Sequence, residues 1–284
     1  MLMKKLINFY NNTMLEIMKK ITFYITIVLG INSVIAQQID TKNSPVAKGL
    51  IHKVVAKTGN YDLLKKLKDV AFEYTFYSTK TNKKDVSTER YIFDGEVSWG
   101  NYKTHQYFVF PNTTETVTQF YDGSTQTNVT LGDKNITDLK VLKSANFLRK
   151  ANFYWFTMMP KLLDQGIVYE LLPNRTHNRI NYKIVKIGFN KGVGEVQDEF
   201  ILYINPKTFL IDRFLFTVKG FIPGVLLMEA EYKTVNGYTF MAKRKVISGA
   251  QWDGSITGDV LFEQTSTNVK FTNGFTKEIL SNIQ

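Results

Sequence analysis

The chain has 284 residues, a hydrophobic fraction of 44% and charged residues at 21%, enough apolar material for a sizeable core and too much for a disordered or collagenous chain. With a single long apolar run and a mean hydropathy of −0.17, it is not a multi-span membrane protein. The formal charge is +11, yet only 6 of the 36 basic residues are arginines, and they are scattered. Nucleic-acid readers concentrate base on one face, so no nucleic-acid partner is expected, and the lysines read as a solvated surface capable at most of transient contact with an anionic membrane. The absence of cysteine excludes disulfides, thiol catalysis and iron–sulfur clusters.

Residues 18–36 combine Lys19 and Lys20 with an apolar stretch over 21–31 and the small-residue ending Ser33-Val34-Ile35-Ala36. This is the order of an export signal, with Val34 and Ala36 at the −3 and −1 positions. The reading is an N-terminal extension and cleaved signal over 1–36, translation starting at Met14 or Met18, and one mature domain over 37–284. Gln37 follows the cleavage point where a lipoprotein would need Cys, so the product is expected to be soluble outside the cytoplasm.

Ser44-Pro45 opens a helix, because Ser caps orphan amides and Pro has no amide to satisfy at the first position. Val46, Leu50, Val54 and Val55 recur near helical spacing until Thr58-Gly59-Asn60, and a short helical piece follows over 61–68. The period then falls to two: Phe72, Tyr74 and Phe76 alternate with Glu73 and Thr75, an amphipathic strand. Asp94-Gly95, Asp122-Gly123, Asn236-Gly237, Asp253-Gly254 and Asn273-Gly274 are type I′ turn signals between β-prone runs, and Asn205-Pro206-Lys207-Thr208 joins two more. Together they predict a large antiparallel meander in a mainly β, α+β chain. Along 226–232, Leu226, Met228, Ala230 and Tyr232 face one way and Glu229 and Glu231 the other, so one sheet face is read as covered and one as wet.

One helix interrupts the strands. Ser144 reads as its N-cap, Phe147, Ala151, Tyr154, Trp155 and Met158 follow on one side, and Pro160 with Asp164-Gln165-Gly166 closes it. Its segment Phe153-Tyr154-Trp155-Phe156-Thr157-Met158-Met159 is apolar nearly all round, so it must be covered on several sides or face a ligand. The chemistry-bearing motifs are few. His52, His105 and His177 lack metal-helix spacing, Gly192-Val193-Gly194 is a turn rather than a nucleotide loop, and no P-loop, nucleophile elbow or EF-hand occurs, so no cofactor or metal is expected. Asp164, His177 and Asp198 would be the residues of a hydrolase if the fold brought them together. The positive signal is aromatic and methionine content: Phe72, Tyr74 and Phe76 with Phe147, Tyr154, Trp155, Met158 and Met159 are either ordinary core or the wall of a cavity for an acyl chain.

The stretch Ala151-Asn152-Phe153-Tyr154-Trp155-Phe156-Thr157-Met158-Met159-Pro160-Lys161-Leu162-Leu163-Asp164-Gln165-Gly166 resembles the aromatic helix and M-P-x-x-L-x-D-x-G segment of an uncharacterised family of exported bacterial proteins in the LolA-like superfamily of periplasmic lipoprotein carriers. Asp198-Glu199-Phe200-Ile201-Leu202-Tyr203-Ile204-Asn205-Pro206-Lys207-Thr208 is similar to that family's second marker. The resemblance spans most of residues 48–266. It implies a curved antiparallel half-barrel whose concave face is covered by helices and holds acyl chains. It therefore implies a non-enzymatic binder or carrier of lipids or lipoproteins. An envelope module with a filled core, acting through its surface, is the alternative.

Overall fold

The computed structural model describes residues 43–190, 198–220 and 222–283. The export segment of 1–36, the start at Gln37 and the Gly192-Val193-Gly194 turn lie outside the described residues. Helix α1 (Pro45–Thr58) begins as its sequence dictates, with the Ser44 hydroxyl accepting from the Ala47 amide. Its buried stripe is Ala47, Ile51, Val54, Val55 and Thr58, whereas Val46, one position off that stripe, is exposed. Gly59 ends it at φ +116°, and Asn60 caps the short α2 (Tyr61–Leu67) by accepting from the Leu63 amide.

Among the described residues thirteen strands then form one antiparallel sheet. The first six are β1 (Asp69–Ser78), β2 (Lys83–Ile92), β3 (Val97–His105), β4 (Val117–Tyr121), β5 (Thr127–Leu131) and β6 (Lys134–Asn135). Helix α3 (Leu139–Lys161) follows. The second run is β7 (Ile167–His177), β8 (Ile180–Phe189), β9 (Phe200–Ile204), β10 (Ile211–Val218), β11 (Ile222–Val235), β12 (Tyr238–Ala250) and β13 (Val260–Phe271), before α4 (Lys277–Asn282). The order across the sheet is β6-β5-β4-β3-β2-β1-β13-β12-β11-β10-β9-β8-β7. Two meanders thus meet where β1 pairs with β13, from Val70 opposite Phe271 to Ser78 opposite Phe262. The sheet is a curved half-barrel that does not close, and its edges are β6 and β7.

The turn signals resolve differently from one another. Asn236 (φ 49°) and Gly237 (φ 81°) form the expected type I′ link between β11 and β12. Asp94-Gly95 lies in a 3₁₀ turn between β2 and β3, and the Asp122 carboxylate organises a wider loop by accepting from the amides of Ser124, Thr125 and Gln126. Asp253-Gly254 sits inside the excursion from β12 to β13. Asn273-Gly274 leads into α4, with the Asn273 and Gly274 amides donating to the buried Asp69. Asp253-Gly254 closes a tight reversal bridged antiparallel by Ala250 and Ile256 rather than the link between β12 and β13, and Asn273-Gly274 turns without a hairpin, because Asx turns and positive-φ glycines serve any sharp reversal. A Cβ at Gly237 would meet nothing within 4 Å, so Gly237→Val tests the backbone alone. It should lower the free energy of unfolding by about 1 kcal/mol, and an unchanged urea midpoint would show that the turn does not need positive φ.

The reading of one wet face also needs correction. On the face away from the helices, Ile184, Leu215, Leu227 and Tyr203 are buried, with Trp252 of the β12–β13 excursion packed against them. Farther along, Val97, Trp99 and Phe120 are buried with Leu280 of α4. Loops and a terminal helix can cover part of a sheet face without leaving any periodic signal of their own.

Candidate functional site

Helix α3 occupies its place for a topological reason. It follows one edge strand, β6, and precedes the other, β7, so the connection has to cross the face of the sheet. Its 23 residues give a rod of about 35 Å. It packs on β3, β4, β5 and β12, with α1 beside it. The helix begins at Leu139, capped by the Asp138 carboxylate accepting from Lys140 and Val141, not at Ser144. Pro160 lies in its last turn rather than beyond it.

Burial shows which residues of the helix face inward. Ala145, Arg149, Phe153 and Phe156 follow at spacings of four, four and three and are all buried. Phe147 is two residues from both Ala145 and Arg149, about 200° around the helix from each, and is 38% exposed. The inward stripe therefore carries Phe153 and Phe156 where the sequence reading placed Phe147. Phe72 stacks on Phe156 at 4.8 Å and meets Tyr91 edge-on at 5.3 Å, and Phe156 also stacks on Phe240 at 5.4 Å. Tyr74 is buried beside them. Met158 and Met159 are buried against Ile51, Val54 and Val55 of α1 and the inner faces of β8 to β12. Tyr154 and Trp155 are half-buried, with Trp155 stacked 6.1 Å from Phe214.

A polar centre under α3 was not legible in the sequence. Arg149 and Glu89 form a two-pronged ion pair at 2.7 and 3.1 Å with both side chains fully buried. Ser87 and Tyr91 donate to the same carboxylate at 2.6 and 2.8 Å, and Arg149 donates to the Tyr102 hydroxyl. The neighbouring carboxylate, with the hydroxyls around it, holds the Arg149 charge firmly despite burial. A Cβ on Gly100 would stand 2.1 Å from Arg149 Nη1, so only glycine leaves room for this guanidinium on β3. The partners are 60 residues apart, and nothing local marks either.

The interior of the concave face is filled by side chains. Between Phe72, Tyr74, Asn152, Trp155 and Arg244 the remaining cavity is about 10 Å³. The apolar lining nevertheless continues outward. Half-buried Phe76 lies 4.8 Å from both Phe108 and Phe262 and 5.7 Å from Tyr107, and Phe108 is 47% exposed. The loop bearing these rings is held in place: the buried Asp85 carboxylate accepts from the Tyr107 and Phe108 amides at 2.8 Å each, and the His105 ring lies between the carbonyls of Phe110 and Glu115.

His177 is not brought to Asp164 or Asp198, and these two carboxylates, both close enough to Tyr154 to add to the effect of burial in raising its pKa, each have a separate hydrogen-bond partner. Asp164 accepts from the Tyr61 hydroxyl at 2.9 Å, with burial raising its pKa, and Asp198 accepts from Thr217 and the Lys219 amide. His177 borders a separate polar pocket of about 260 Å³ with Tyr182, Arg213 and Glu229, where burial and then Arg213 lower its pKa. Among the described residues no helix is long and apolar enough to cross a membrane.

An open antiparallel half-barrel, roofed by a helix that joins its two edges and lined by packed aromatics, is the class of protein these features define. The chain belongs to the family of unknown function DUF6503, whose model matches residues 102–252, a span that contains both marker segments. A comparison with curated proteins returns no match. Among solved structures the chain is similar to a DUF1329 family protein from Desulfovibrio piger, with 13% identity, a TM-score of 0.51, and coverage of 84% of this chain and 99% of that one. That likeness is one of fold. A LolA superfamily protein from Nitrosomonas europaea is also similar, with 9% identity, a TM-score of 0.46, and coverage of 82% and 96%.

Proposed function

We propose that this protein is an exported, non-enzymatic binder of an acyl-chain amphiphile, held on the concave face between α3 and strands β1, β12 and β13. The observation that carries the reading is the unbroken apolar path from buried Phe72, past Phe76 and Phe262, to exposed Phe108. An exposed aromatic group continuous with a core is the usual mark of an interaction site. Because the interior is filled, a chain enters only as α3 and its half-buried Tyr154 and Trp155 shift outward, and Phe72, Tyr74, Met158 and Met159 then border its path to differing extents, whereas exposed Phe147 stays on the outer side of the helix. Burial contributes about 0.8 kcal/mol per CH₂, so ten methylenes support micromolar affinity after the losses of association.

The test is titration with a fluorescent polyene fatty acid, comparing wild type with Phe108→Asp. Phe108 is too exposed for its loss to unfold the chain, so the variant should keep its melting temperature and bind about tenfold more weakly. Absence of binding by the wild type would overturn the proposal. It would favour the second reading, supported by the filled interior, of an envelope module that acts through its surface.

A further inference from the structure

Among the described residues two arginines are buried on the concave face, and one of them has a carboxylate partner. Arg149 is matched by Glu89. Arg244, on β12, is 5% exposed, and among the described residues no acid forms an ion pair with it. It donates from Nη2 to the Tyr74 hydroxyl at 3.2 Å, and its guanidinium lies 5.7 Å from the Tyr74 ring and 5.9 Å from the Trp155 ring. Burial raises the pKa of Tyr74, so this phenol stays neutral and supplies no counter-charge. Gln264, directly opposite Arg244 on β13, has an amide oxygen with no donor. A charge removed from water without a partner is strongly unfavourable, and a planar guanidinium with spare donors suits a carboxylate or phosphate. Arg244 lines the small cavity under α3 with Asn152 and Ser266, in the same row of the sheet as Phe76, with Gln264 between them, and Phe262 lies two residues along β13 from Gln264.

We propose that Arg244 is the headgroup contact of the concave-face site, and that the ligand is an anionic amphiphile whose carboxylate or phosphate meets this guanidinium while its chain runs toward Phe76, Phe262 and Phe108. The assignment rests on the acyl-binding reading above and adds the charge of the ligand. Trp155 covers Arg244 and has to turn aside for the headgroup to enter.

Matched probes separate the two levels. Purified protein is titrated with laurate, dodecyl phosphate and dodecanol, which share a chain and differ in headgroup. Wild type should bind one of the anions at least about tenfold more tightly than the alcohol, and whichever anion binds more tightly identifies carboxylate or phosphate as the natural head. Arg244→Gln should lose that preference while still binding dodecanol, and its melting temperature should not fall as it would on losing a paired charge. Equal wild-type affinity for anion and alcohol overturns the role of Arg244 and leaves the acyl site standing. Failure of all three probes to bind overturns both. If the variant does not fold, Arg244→Met is the second test, and the wild-type ranking of the probes decides alone.

Discussion

Arg149→Met is expected to destabilise the protein by about 3–5 kcal/mol, because it strands Glu89 as a buried carboxylate without its counter-charge. Methionine approximates the volume of the arginine stem, so the loss measured is mainly electrostatic. Ser87 and Tyr91 still donate to Glu89, but two hydroxyls do not replace a two-pronged guanidinium at 2.7 and 3.1 Å. Combining Arg149→Met with Glu89→Gln removes both charges and should recover a large part of the stability, since the desolvation penalty disappears with them. Urea unfolding of the two single variants and the double variant forms the cycle. A loss under about 1 kcal/mol for Arg149→Met would mean that the pair does not fasten α3 to β2.

Phe156→Ala should be comparably severe, at about 3–5 kcal/mol, for a different reason. The Phe156 ring is shared by Phe72, Tyr91, Tyr238, Phe240 and Phe271, so its loss leaves a cavity at the junction of α3 with β1, β2, β12 and β13. The neighbours are rings locked against one another and relax little into the space. Phe147→Ala, on the same helix, is the control: with its side chain 38% exposed it should change stability by less than about 1 kcal/mol. Thermal unfolding of the two variants decides between the inward stripe through Ala145, Arg149, Phe153 and Phe156 and one that includes Phe147. Equal destabilisation would reject the first.

The meander, the α1 start at Ser44-Pro45, the Asn236-Gly237 hairpin and the aromatic helix were legible because each is written in local chemistry: a cap, a positive-φ requirement, a period of two or of three and a half. The same locality explains the misses. Ser144 is a residue type that caps helices, but the structure caps the helix at Asp138, and the turn this adds packs Val141 and Leu142 against Val117, Val129 and Ala145. Asp253-Gly254 and Asn273-Gly274 carry hairpin composition, yet contacts with distant residues, Asp69 among them, turn the latter into a lead-in to α4.

Sequence by itself determined that the chain is antiparallel, that its strands bury aromatic faces and that one apolar helix stands between two runs of strands. It also put Phe72 and Tyr74 on one face of a strand and Trp155 and Met158 on one helix, which the structure divides between two apolar clusters. Only the tertiary structure decided that β1 pairs with β13, that α3 must therefore bridge two open edges, and that Arg149 finds Glu89 while Arg244 finds no acid among the described residues. Those outcomes depend on residues 60 to nearly 200 positions apart, and neither propensity nor spacing encodes which distant side chain a buried charge will meet. A lone arginine in a strand reads as surface until the fold encloses it. Enclosure is what turns its charge into a requirement for a partner.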